Sequence, residues 1–510
     1  MTKSIDIPDC CYPKEPSLVC PSSSTPRHTL YLSNLDDQKF LRFSIKYLYV
    51  YRKAVGWEAL RTSLSKVLVD YYPLAGRLRT SPEDGEKLEV DCSGEGALLA
   101  EGYVDLTVEK FLEGSRRPNR SWRKLLYKVE AQSFLAVPPL IVQVSTPACP
   151  DHFSSFPFAS PEVFRNRNIQ LTIWLSCKTG GGRCSYYIYI TDWFICGCGQ
   201  MTHLSCGGMI LCTAINHCLC DGIGTAQFLH AWALITSKPN ANLPTNPFHG
   251  RHILKPRDPP QIAFSHPEFN RPLPRVGPDT DYITQILLSQ PLVPVSLTFT
   301  TSHILHLKQH CVPSLKCTSF EVLASHVWRA WIKSLDPPSS LHIKLLFSMN
   351  MRQRLKPELP SGYYGNGFVL ACAETSVEEL IESNPHYCVK LVQEAKECLN
   401  DDYVRSMIDL LEARKVKPEL SSSLVISPWT KLGLEDLDFG EGRPLHMGPL
   451  ASEIYCLFLP VIGDLQAFTV LMSIPQGVAD RFQHYCTKDL DDEEEKGITE
   501  DGGRGYSQLN

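Results

Sequence analysis

A mixed α/β fold in two halves is predicted for this chain by three observations. Its 510 residues exceed what one hydrophobic core usually serves, so two domains are expected. Helix-period and strand-like runs alternate on both sides of a stretch, 237–295, that is rich in Pro, Asn and Asp and has little periodicity. The composition is ordinary globular, 43% hydrophobic and 21% charged, enough apolar material for a sizeable core. Pattern alone leaves α/β and α+β open and does not set the strand order.

Residues 1–27 are rich in Pro and Ser and read as extended surface chain. Leu60, Leu64, Val67 and Leu68 recur at three and four within Trp57–Tyr72, which predicts a helix stopped by Pro73. Strands are expected at Pro139–Val144 and Gly208–Asn216, and a helix from about Gly224 with Phe228, Leu229, Trp232 and Ile235 on one face. Residues 237–295 read as a long crossover. Beyond it come a helix at Ser319–Ser334, a strand at Ile343–Met349, helices at 377–383 and 387–412, and strands at 423–427 and 453–459. The acidic end after Cys486 reads as a disordered tail. The boundaries expected are thus 1–236 for the first domain, 237–295 for the linker, 296–486 for the second domain and 487–510 for the tail.

Charge and composition narrow the function. The net charge is −5, from 50 basic and 55 acidic residues, with no concentration of Lys and Arg, so nucleic acid is not an expected partner. The 20 cysteines are scattered through apolar runs such as Met209–Cys212, the habit of buried, reduced thiols. The N-terminal residues lack a signal-peptide apolar region, and no apolar run approaches a membrane span. A cytosolic protein is expected.

Two short motifs carry chemistry. His217-Cys218-Leu219-Cys220-Asp221-Gly222 directly follows an apolar strand, which would present the imidazole at an element end. Imidazole titrates near neutral pH, so it can take a proton from an attacking hydroxyl or amine and return it to a leaving thiolate. A hydrogen-bonded core histidine is the competing reading of the motif on its own, and Asp221 is open to a structural salt bridge as much as to orienting the ring. Asp438-Phe439-Gly440-Glu441-Gly442 is a Gly-rich turn and, alone, nothing more.

Together the two motifs resemble those of the BAHD acyltransferases, His-x-x-x-Asp near the middle and Asp-Phe-Gly-Trp-Gly near the C-terminus. Other blocks agree in order: Leu30–Asp36, Tyr71–Leu78, Ser319-Phe320-Glu321 with Val327–Ala330, and Gly362–Asn366. The resemblance spans about 10–486. It implies two similar domains of the chloramphenicol-acetyltransferase type with a channel between them. It further implies His217 as general base without a covalent acyl-enzyme, and Asp221 turned away to pair with Arg352. Trp429 would help position the reacting groups, and Asp438, Gly440 and Gly442 would form a structural loop. Acyl-CoA would be a co-substrate, with no permanently bound cofactor and no metal, and the acceptor an alcohol or amine. A monomer is expected. The blocks look most like hydroxycinnamoyl transferases acting on long-chain alcohols or ω-hydroxy fatty acids. Polyamine acyltransferases and non-catalytic accessory relatives are the alternatives.

Two departures stand out. Glu441 replaces the usual Trp, removing a packing surface from a structural turn, so altered stability is expected and not a changed reaction. Residues 144–200 have no counterpart in the family, and a loop of that length inside a compact domain is improbable. Half of a metal site at Cys196-x-Cys198, a true surface insertion and translated intron sequence compete. The last is favoured, Gln143-Val144-Ser145 being what a splice-donor-like CAG-GTA-AGT would encode. The segment is expected to protrude irregularly while the strands flanking it still pair.

Overall fold

The computed structural model describes residues 6–12, 14–114, 120–129, 133, 135, 137–146, 200–203, 207–270, 282–311, 315–450, 455–488 and 490. Segment 147–199, with Cys196 and Cys198, and the acidic end from 491 lie outside the described residues.

Among the described residues, strands and helices alternate around three sheets. The first sheet has seven strands, with Ser17–Val19, Ala97–Tyr103, Leu140–Thr146, Met209–Asn216, Ser44–Tyr51 and His446–Pro449 in that order and Gln200–His203 off the path. The second has six, ordered Leu292–Phe299, Asp464–Pro475, Cys456–Val461, Ser423–Pro428, His342–Asn350, Phe368–Ser376. A small third sheet joins Thr29–Tyr31, Leu88–Asp91 and Arg77–Thr80.

Met209–Asn216 is the central strand that matters for the site. All eight residues are buried, which is why it reads as one unbroken apolar run. It pairs antiparallel with Ser44–Tyr51 on one side and with Leu140–Ser145 on the other. The helix Gly222–Ser237 follows and packs on Trp57–Val67, where Ser63 Oγ lies 2.7 Å from Thr236 Oγ1 and Trp232 Nε1 donates to Leu60 O at 3.2 Å. Burying these polar atoms costs little because each finds a partner.

The second sheet is backed by the helix Ser319–Leu335, started by a capping box between Thr318 and Glu321. The expected single helix over 387–412 is two, Pro385–Glu397 and Asp401–Arg414. Asn400 divides them, because its side chain caps the second helix at Tyr403 N and so competes with a continuous helix.

The chain is not parcelled as its linear order suggests. His446–Pro449, from the second half, is an edge strand of the first sheet, and Leu434, Leu437 and Phe439 pack in the first core. The crossover also holds more structure than its composition indicates, including the helix Tyr282–Ser289 and the start of Leu292–Phe299. Its irregular backbone at 257–263 is satisfied by side chains of the helix beneath it. Asp409 accepts from Arg257 N and Gln261 N at 2.8 Å each, and Ser406 Oγ from Ala263 N at 3.0 Å.

The register around segment 144–200 is informative. Against the central strand, Gln143 faces Cys212, and Met201, Thr202 and His203 face Leu211, Ile210 and Met209. Against Ala97–Tyr103, Val142 faces Leu99, and Gln200 and Met201 face Ala100 and Glu101. The offset between the two antiparallel registers equals the length of 144–200. Residues 140–143 and 201–203 are therefore the two parts of one strand, interrupted in register. Val144 and Ser145 also pair with Leu211 and Ile210, so two segments claim the same positions of the central strand.

Candidate active site

His217 follows the last residue of the central strand, at the turn into Gly222–Ser237. Its main chain is pinned at both ends. Its N–H donates to Phe43 O at 2.8 Å, and its carbonyl accepts from Asn366 Nδ2 at 2.7 Å. The ring lies between Phe43 and Phe368, with centroids 5.5 and 5.7 Å away, and Tyr455 stacks on Phe43 at 6.3 Å. His217 keeps partial exposure, whereas its neighbours from 209 to 216 and 218 to 221 are buried. Burial pushes its pKa below the ordinary imidazole value; its own backbone, Asp221, the Asn366 amide and Asp36 oppose that shift without reversing it. The ring is therefore neutral at physiological pH, the state a proton acceptor needs.

Asp221 is fully occupied elsewhere. Arg352 forks onto it, Nη1 to Oδ2 at 2.7 Å and Nη2 to Oδ1 at 3.0 Å. Its Oδ1 caps the helix through Gly224 N at 3.0 Å, and its Oδ2 accepts from Gly367 N at 2.9 Å. Burial would raise its pKa, but the Arg352 charge and these hydrogen bonds outweigh it and hold the carboxyl below the usual range. The same pair raises the pKa of Arg352 against its own burial. Gly367 has a steric reason too: a Cβ there would lie 2.8 Å from Arg352 Nη1.

Asp221→Ala removes both a helix cap and the partner of a buried guanidinium. The losses expected are about 1 kcal/mol for the cap and about 3–5 kcal/mol for the uncompensated charge. Urea or thermal unfolding measures the sum, and a variant as stable as the parent would refute the structural assignment of the pair.

Trp429 stacks on Tyr47 at 4.7 Å, nearly parallel, and donates to Ser427 Oγ at 3.2 Å. Asp438 closes its own turn, accepting from Gly440 N at 2.7 Å and Gly442 N at 3.0 Å. Both glycines have left-handed φ, +108° and +104°, which favours residues without a Cβ. Phe439, between Asp438 and Gly440, is buried against Trp232, 5.0 Å away. Glu441 points outward and sits 3.8 Å from Lys53.

A second buried pair lies beside the first and escaped the sequence reading. Arg251 Nε is 3.3 Å from Asp36 Oδ2, and both side chains are 0% exposed. Its signal was present in the Leu30–Asp36 and Gly362–Asn366 blocks, but Arg251 sits in the stretch that reads as linker.

Among the described residues no group of three His, Cys, Asp or Glu side chains could hold a metal, no disulfide forms, and no helix is long and apolar enough to cross a membrane.

The family model described as Transferase family matches residues 14–150 and 198–488. The chain belongs to the BAHD acyltransferases. It is an acyltransferase, and the family match leaves out 151–197, inside the segment whose flanks share one strand register. This BAHD protein is 33% identical to an Arabidopsis thaliana omega-hydroxypalmitate O-feruloyl transferase, over 92% of this chain and 91% of the relative. It is 32% identical to a fatty alcohol:caffeoyl-CoA acyltransferase of Arabidopsis thaliana, over 92% and 96%. Among solved structures, vinorine synthase superposes with a TM-score of 0.59 at 18% identity, covering 92% of this chain and 96% of that one. F. sporotrichioides TRI101, in complex with coenzyme A and T-2, gives 0.62 at 14%, covering 89% and 97%. The fold is the two-domain chloramphenicol-acetyltransferase type expected from the motifs.

Proposed function

We propose that this BAHD acyltransferase moves a hydroxycinnamoyl group from CoA to the hydroxyl of a fatty alcohol or ω-hydroxy fatty acid, with His217 as general base. The observation that carries the chemistry is a half-buried imidazole kept neutral, its main chain pinned at both ends and its ring walled by aromatic rings. The acceptor class rests on the two Arabidopsis relatives, whose names specify feruloyl and caffeoyl transfer to such alcohols.

In this reading the acceptor hydroxyl gives its proton to His217 as its oxygen attacks the thioester carbonyl carbon. The tetrahedral adduct then collapses, the C–S bond breaks, and the imidazolium returns the proton to the departing CoA thiolate. Asp221 takes no proton, being committed to Arg352, Gly224 and Gly367.

Turnover of feruloyl-, caffeoyl- and coumaroyl-CoA with hexadecanol, 16-hydroxypalmitate and spermidine tests it. Ester formation with the two long-chain hydroxyl acceptors is expected. Amide formation with spermidine alone would overturn the acceptor class, and no turnover with any pair would favour a non-catalytic relative.

A further inference from the structure

We infer that the helices packed beside the second sheet enclose a binding site apart from the His217 turn, a basic cavity that takes a small aromatic carboxylate. Whatever acyl group and acceptor the enzyme uses, none of the residues that wall or pin His217 lines this cavity.

The cavity, about 130 Å³, lies among the helices Thr301–Gln309, Ser319–Leu335, Pro385–Glu397 and Ala479–Thr487. In Ser319–Leu335 the residues Val322, His326, Arg329 and Lys333 recur at three and four, so one helix face runs from apolar to basic along the cavity. Leu307, Val322, Ala330 and Val389 are buried and form an apolar floor. His306, His310, Arg329, Lys333 and Lys488 add basic groups, and among the described residues no Asp or Glu lines it. His310 and Lys488 are exposed, so the mouth is open to solvent.

Arg329 brings a charge to this cavity that the described residues do not cancel. It donates to neutral groups, from Nη1 to Ser383 O at 2.6 Å and Cys388 Sγ at 3.6 Å, and from Nη2 to Ile381 O at 3.0 Å. Those bonds fix the guanidinium, and no carboxylate pairs with it among the described residues. Lys333 and Lys488 both approach the ring of Tyr485, 5.9 and 5.8 Å from its centroid, so cations and an aromatic wall meet at one place. Such a site repels cations. A bare phosphate or sulfate would set oxygens against the apolar floor without hydrogen-bond partners, which is unfavourable. A neutral ring would leave the basic groups unmatched. An apolar cavity of about 150 Å³ holds benzene. This one is thus sized for a six-membered ring on the floor, with a carboxylate at the mouth bonded to the basic rim.

Equilibrium dialysis of the full chain against radiolabelled benzoate, with saturating CoA present, should find one saturable site with a Kd of about 1 mM or tighter. Neither inorganic phosphate nor benzamide should displace the label at equal concentration. Replacing Lys333 and Lys488 together by Gln should weaken binding about 10-fold or more, as lost charged hydrogen bonds do. Ala330→Leu, which fills the floor, should abolish it, and acyl transfer should be unchanged in both variants. Should Ala330→Leu not fold, the lysine pair decides alone, since Lys488 is exposed and Lys333 half-buried. Benzoate binding that survives both variants would place the ligand elsewhere and overturn the inference. Displacement by phosphate would overturn the aromatic class, and displacement by benzamide the need for a carboxylate. Binding seen only in a chain ending at Leu490 would make the acidic run that starts at Asp491 the occupant, and would equally overturn it.

Discussion

His217→Ala should lower acyl transfer about 100- to 10,000-fold, the usual worth of a positioned proton acceptor, while the protein stays folded and still binds CoA. The fold should survive because the groups that pin the turn are main-chain ones. The His217 N–H and carbonyl bonds to Phe43 and Asn366 do not need the ring. The parent's pH profile provides an independent check. The neutral ring is the active form, and burial depresses its pKa. Activity should therefore hold through neutral pH and below the ordinary imidazole value, then fall as pH drops through the depressed one. The alanine variant should lack that limb. Turnover at the parent's rate would remove the mechanism.

Joining Gln143 directly to Met201 should give a soluble, active transferase, while the chain carrying 144–200 should be poorly soluble or weakly active. The register supports the join residue by residue. With the segment gone, Gln143 takes the place opposite Ala100 that Gln200 now holds, and Met201 follows it opposite Glu101 and Leu211. The two claims on Leu211 and Ile210 become one. Closure entropy alone would tolerate a long insertion, since it grows slowly with length. The composition of the segment is the larger liability: Trp174, Tyr186, Tyr187, Tyr189, Trp193 and Phe194 include a β-prone window at Tyr186–Ile190 of the kind that aggregates when exposed. Size-exclusion chromatography, thermal unfolding and turnover of both forms measure the difference. If mature transcripts uniformly encode 144–200 and the longer protein is the more active, the intron reading falls.

Several elements were legible because their signals are local. The central strand announces itself as an unbroken apolar run, since both faces are covered. Ser319–Leu335 declares its start through Thr318 and Glu321 and its buried face through spacing. His217 and Asp221 were legible as a motif, and their flanking blocks placed the chain in its family. Excess length inside a strand pair was legible too, because strands have short natural lengths and hairpins short natural loops.

Other features depend on contacts between residues far apart in sequence, which no local pattern records. The strand His446–Pro449 completes the first sheet because it meets Tyr47–Val50 in space, nearly 400 residues away. Arg251 looks like any polar residue of an irregular stretch until the fold seats it on Asp36 and Leu219 with no solvent access. Asn366 gains its meaning only when folding carries it beside the His217 carbonyl. The sequence determined which residues could do chemistry, through side-chain type and pattern. The tertiary structure decided their protonation and partners, because desolvation and ion pairing exist only once distant segments bury one another.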